Sequence, residues 1–188
     1  MNVQTSLQSK SLDELKELYE NTSVPDSIVA LNLTGDLNLG MCIRTASLFG
    51  ISRFHILGRR RYDRRTTVGM DHYVPVERIG ALQQDELNNE TIISTLQYFS
   101  QSFNIVFVEQ HKQAVSLTDF GKKITDSRPV MFVIGNEGSG IPKPIMENVS
   151  GLIVQIPQKG VGRSHNVSNA LSMVLWEYYR NSFEDSIV

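Results

Sequence analysis

Three short segments hold residue types that could do chemistry. The first runs from Asn38 to Gly50, reads as a helix that is apolar over most of its surface, and carries Arg44 out of place on it. A guanidinium beside a core needs a partner, and its fixed fork of donors suits a carboxylate or a phosphate. On this segment alone, a structural ion pair to Asp36 or Glu137 is the simpler account. The second runs from Pro129 to Pro142, an apolar strand entering a loop with Gly135, Gly138 and Gly140. Such a loop lets backbone amides approach a ligand closely. Its G-x-x-G-x-G spacing matches neither the dinucleotide fingerprint nor the phosphate loop, and a tight turn into a helix opened by Pro142 explains it equally well. The third, Ile156 to Ala170, reads as a strand, a flexible turn and a helix start. Ser164 and Asn166 suit helix caps, the first-turn amides could grip a ligand, and His165 could carry a proton, although packing or capping is the commoner role for such a histidine.

These segments need elements to position them. Ser11 and Glu14 form an S-x-x-E capping box ahead of Leu12, Leu15, Leu18 and Tyr19, which predicts a short amphipathic helix over 11–20. Pro25 breaks that pattern, and the main domain is expected to open at the apolar run Ile28 to Leu33. Strands are expected near 54–57, 105–108, 130–134 and 152–156, with a short extended piece at 73–76. Helices are expected over 39–49, around 92–99, briefly near 117–124 and from Val167. Alternation of this kind points to an α/β domain, a mostly parallel sheet with helices on both faces. The expected organisation is an N-terminal extension over 1–25, one domain over 26–182 and a tail over 183–188. The closing helix is the most regular, with Val167, Ala170, Leu171, Val174, Leu175 and Tyr178 on one stripe that could meet the sheet or a second subunit.

A net charge of −2 gives no hint of a polyanionic partner, but its distribution does. Six of the 18 lysines and arginines are Arg53, Arg59, Arg60, Arg61, Arg64 and Arg65, a local candidate for phosphate contacts that could equally be a solvated loop. The lone Cys42 can neither pair internally nor build a thiolate zinc site, no metal is implied, and no stretch approaches the roughly 18 apolar residues of a membrane helix. A cytoplasmic protein is the expectation.

Taken together and in this order, the three segments resemble the motifs of the SpoU/TrmH branch of the SPOUT methyltransferases, which methylate ribose 2′-oxygens of transfer and ribosomal RNA. The resemblance covers roughly residues 28–180. It implies a C-terminal trefoil knot whose loops bind S-adenosylmethionine, which sequence physics alone would not predict. It places Glu109, Gly135, Asn136, Glu137, Gly138, Ile156, Pro157, Ser164, His165 and Asn166 around that cofactor. It assigns Arg44 to the reacting hydroxyl, held by Asn38 and Glu137, and Arg59, Arg60, Arg61, Arg64 and Arg65 to RNA phosphates. It also implies a homodimer with the site close to the subunit interface. One departure stands out: the family most often has leucine where this chain has His165, so the wall of the adenine pocket could differ. The chain leaves little room for a separate RNA-recognition domain, so substrate choice is expected from the domain, its partner subunit or another protein, with transfer RNA first and ribosomal RNA second. The rivals are a non-catalytic RNA-binding protein that keeps the fold and an unrelated nucleotide-binding α/β enzyme.

Overall fold

The computed structural model describes residues 3–58, 61–80 and 87–182. Its framework is a seven-stranded sheet in the order β3-β2-β1-β6-β4-β7-β5, parallel at every pairing. The strands are β1 (Val24–Leu31), β2 (Ile51–Leu57), β3 (Val76–Ile79), β4 (Asn104–Val108), β5 (Val115–Ser116), β6 (Val130–Ile134) and β7 (Leu152–Gln155). The α-helices are α1 (Leu12–Thr22), α2 (Asp36–Leu48), α3 (Arg64–Thr67), α4 (Asn89–Phe99), α5 (Lys143–Asn148) and α6 (Val167–Tyr179).

A parallel sheet is buried on both faces, and the pleat of its central strands sorts their side chains accordingly. On β1 and β6, Ile28, Ala30, Val130, Phe132 and Ile134 join the core formed with α2 and α6. Their neighbours Val29, Leu31, Met131 and Val133 join the opposite core with α4 and α5. A smaller cluster seats α1, where Leu15 packs on Met70 and Tyr73, and Tyr19 donates to the Ile51 carbonyl at 2.7 Å. The capping box is formed as expected, with Glu14 N donating to Ser11 and Ser11 N to the Glu14 carboxylate.

Several bounds differ from the sequence expectations. β1 opens at Val24 rather than Ile28, so Pro25 lies inside it, at a break in register between Val24 and Ser27 where no ladder donor is needed. The extended piece expected at 73–76 lies later, as β3, because Met70–His72 forms a 3-10 turn. The brief helix expected near 117–124 is a 3-10 turn over Phe120–Lys123, and the two-residue β5 has no hydrophobic pattern to announce it.

Asp26 closes the end of the sheet away from the loops discussed below. It is 5% exposed, accepts from Val130 N at 2.6 Å and from the Tyr179 hydroxyl, and thereby ties β1, β6 and the last turn of α6 together. Burial raises its carboxyl above the ordinary value even though both hydrogen bonds oppose the shift. Asp26→Ala removes the shared acceptor of two buried donors and is expected to cost about 2–4 kcal/mol in urea unfolding, and a loss below about 0.5 kcal/mol would show that the tie carries no stability.

Candidate active site

In a parallel sheet all strands end at the same edge, and ligands collect outside those carboxyl ends. Here β1, β6, β4 and β7 are adjacent, and the segments that follow them enclose a cleft of about 590 Å³. The loop after β6 is folded on itself by paired hydrogen bonds between Asn136 and Gly140, at 3.2 and 2.9 Å. Two of its glycines are required by that fold. A Cβ on Gly135 would lie 2.4 Å from the Gly140 carbonyl carbon, and Gly140, at φ +67°, leaves no room for one beside the Glu109 carboxylate. Asn136 then holds the loop to β1 through its side-chain amide, which donates to the Asn32 carbonyl at 2.7 Å.

Two carboxylates brace the cleft. Glu109, just past β4, accepts from Gln110 N at 2.8 Å and Ile141 N at 2.7 Å, joining the β4 and β6 loops. Glu137 accepts from Thr34 N at 2.9 Å, Thr34 Oγ1 at 3.1 Å, Gly35 N at 3.0 Å and Asn38 Nδ2 at 2.9 Å. Burial alone would raise the Glu137 carboxyl, but these donors hold it below its ordinary 4.5. Gly35 is glycine for a reason of space, since a Cβ there would stand 2.8 Å from Glu137 Oε1. Asn38 passes the connection on: its Oδ1 accepts from Asn166 Nδ2 at 2.9 Å, while Asn166 caps α6 by accepting from Ser168 N. The three segments singled out in the sequence thus meet in one chain of hydrogen bonds.

Of the residues assigned to a cofactor, Glu109, Gly135, Asn136, Glu137, Gly138, Ile156, Ser164, His165 and Asn166 line the cleft, with Asn38, and Pro157 does not. His165 is exposed at the rim, not set into the apolar wall formed by residues such as Val108, Ile134 and Val154. Sequence reasoning missed Gln110 and Arg163, both of which line the cleft, and the bracing role of Thr34 and Gly35. Arg163 stood next to Ser164 in the third segment and a cationic neighbour of a loop serine was the available signal. Cys42 offers no nucleophile, because it is fully buried and burial, then the nearby Glu137 charge, push its thiol up.

Arg44 is elsewhere. The ion pair expected with Asp36 or Glu137 is absent: the side chain is exposed and makes no hydrogen bond or ion pair with the described residues. Cys42, Ile43 and Ala46 take the core side of α2, which leaves Arg44 on an outer stripe with Leu37, Met41 and Leu48. α6 runs against α2 and adds Met173 and Trp176, so Arg44 stands amid an exposed apolar surface on which Leu48 is 68% and Trp176 58% exposed.

The arginine-rich stretch is docked on the same helix. Asp63 N donates to the Asp36 carbonyl at 3.0 Å, and Gly40 admits Thr66 so closely that a Cβ would lie 2.0 Å from its hydroxyl. Arg64 pairs with Asp71 and Arg65 with Asp63, though both guanidinium groups stay largely in solvent, and Arg61 is exposed. Arg59 and Arg60 lie outside the described residues. Arg53, on β2, pairs with Glu77 of β3.

Comparison with known proteins identifies the family of the chain. The SpoU rRNA Methylase family profile matches residues 26–176. The chain belongs to this family. Within it, the chain is 25% identical over 179 residues to the tRNA (guanosine(18)-2′-O)-methyltransferase of Aquifex aeolicus, covering 93% of this chain and 78% of that protein. It is 30% identical over 179 residues to the 23S rRNA (guanosine-2′-O-)-methyltransferase RlmB of Haemophilus influenzae, covering 92% and 67%. The crystal structure of the A. aeolicus TrmH/SpoU tRNA modifying enzyme superposes with a TM-score of 0.72 at 25% identity, over 92% of this chain and 83% of that one.

The Glu137 brace makes a pH-dependent contribution to this SpoU fold. A carboxyl whose folded value lies below the ordinary 4.5 gives stability that is complete above that pH and is lost as pH falls through the folded value. Glu137→Gln is expected to cost about 1–2 kcal/mol at neutral pH, the partly exposed setting keeping it modest. The gap to the unsubstituted protein should then close on acidification below 4.5, and a gap that stays constant in acid urea titrations would contradict the assignment.

Proposed function

We propose that this protein transfers a methyl group from S-adenosylmethionine to a ribose 2′-hydroxyl of a structured RNA, transfer RNA before ribosomal RNA. The observation that carries this is the convergence of Glu137, Asn38 and Asn166, from three segments far apart in sequence, around one cleft at the carboxyl edge of the sheet in a SpoU family chain. The donor set suits that cofactor: apolar Val108, Ile134, Val154 and Ile156 for an adenine, and the carboxylates of Glu109 and Glu137 for positive charge. When bound, S-adenosylmethionine supplies an activated methyl on a good leaving group. Gly135, Asn136, Gly138, Ile156, Ser164, His165 and Asn166 hold it, and Pro157 shapes the turn beside it. Glu137 and Asn38 keep α2, which carries Arg44, at the correct distance from the cofactor loops.

A ribose hydroxyl is a weak nucleophile at neutral pH and must be aligned and relieved of its proton. Arg44 has that role, acting with an RNA phosphate, because a guanidinium by itself is a poor base in water. Within one chain Arg44 stands apart from the cleft, which favours a homodimer. Two copies pair through the exposed stripes of α2 and α6, whose methionines and tryptophan suit a buried interface, and Arg44 is carried to the cleft mouth of the second copy. The position fits this, six residues past Asn38 in a helix rising about 1.5 Å per residue. Residues 26–182 form the catalytic domain with its C-terminal loops threaded as a trefoil knot, residues 1–25 an N-terminal extension and 183–188 a tail. The insertion of β6 between β1 and β4, with β7 beyond β4, supports the threading. No helix among the described residues is long and apolar enough to cross a membrane, and a cytoplasmic location suits an RNA substrate.

Arg59, Arg60, Arg61, Arg64 and Arg65 contact RNA phosphates, a reading supported by the docking of Arg64 and Arg65 beside the catalytic helix. Replacing Arg61, Arg64 and Arg65 by alanine should flatten the salt dependence of RNA binding by about one logarithmic unit per lost contact, and an unchanged slope would remove the loop from the interface. Arg44→Ala should keep cofactor affinity while lowering labelled methyl transfer to RNA by about a hundredfold or more. Turnover at the unsubstituted rate, or label recovered on bases and not on ribose, would refute the mechanism.

A further inference from the structure

Arg163 is the one lysine or arginine among the described residues that line the cleft. Its main-chain carbonyl accepts from Gln110 Nε2 at 3.1 Å, which pins the β7 loop to the end of β4. The residue is exposed at the edge of the cleft, and its Nη2 donates to the Gly138 carbonyl on the opposite loop at 3.4 Å, the outer limit of a hydrogen bond. No carboxylate among the described residues pairs with it. The two nearby acids are both committed, Glu109 to Gln110 N and Ile141 N, and Glu137 to Thr34, Gly35 and Asn38.

A cation with one weak neutral contact, facing a cleft whose other fixed charges are negative, calls for an anion inside the cleft. Taking the S-adenosylmethionine reading as its basis, we infer that Arg163 binds the α-carboxylate of the cofactor's methionyl tail and thereby selects it over adenosine compounds without that tail. The carboxylate offers two oxygens to the guanidinium fork in place of one distant carbonyl. An RNA phosphate is the competing anion, but meeting it away from the cleft would forgo the contact with Gly138.

Calorimetry with S-adenosylhomocysteine and with 5′-methylthioadenosine, which lacks the aminocarboxypropyl tail, separates these cases. Arg163→Ala should weaken S-adenosylhomocysteine about tenfold or more and leave 5′-methylthioadenosine within about twofold, with Arg163→Lys losing less. Equal losses for both ligands, or an unchanged S-adenosylhomocysteine affinity, would overturn the assignment. So would weakened RNA binding with S-adenosylhomocysteine unaffected, which would give Arg163 to a phosphate. If the unsubstituted protein bound neither ligand, the cofactor reading itself would fall, and the role of Arg163 with it.

Discussion

The carboxylate of Glu137 is the constraint on which the site depends. It sits on the loop after β6, yet its hydrogen-bond partners all belong to the segment that leaves β1 and starts α2, about a hundred residues earlier in the chain. A charged acceptor with four donors is strongly held, and its loss would leave those donors facing one another in a half-buried space. Because Asn38 then bonds Asn166, the same carboxylate indirectly orients the start of α6. The cleft is therefore preorganised by protein groups before any ligand arrives, as a site that must align two reactants requires.

The sequence showed the sheet and its layers because burial on both faces leaves unbroken apolar runs, as at Val130–Ile134, and the helices showed through periodicity, as in α6. It did not show the start of β1, where Pro25 looks like a terminator and is accommodated by a register break. Of the site, the three ordered motifs were legible, and with them most of the cleft. Thr34 and Gly35 were not, because they contribute backbone amides and absence of bulk, which no residue type announces. Arg44 stands out of place on an apolar helix, and an ion pair within the chain, the simpler account of that segment alone, does not explain it: the apolar residues around it lie on the outside.

That outer stripe also gives the arrangement of functions on α2. Its first turn belongs to the Glu137 brace, its inner face to the core, its Gly40 side to the docked arginine-rich segment, and its outer face to Arg44 and exposed apolar groups. One rigid helix thus relates the cleft loops, the basic segment and the proposed reacting arginine. Sites on regular elements hold such distances better than sites on loops.

The account stands most directly on where the cofactor sits. A crystal structure with S-adenosylhomocysteine should place it between residues 135–138 and 156–166, with the hydrogen bonds from Glu137 through Asn38 to Asn166 intact. A ligand bound outside that cleft, or one that enters only when this chain of hydrogen bonds is broken, would contradict it.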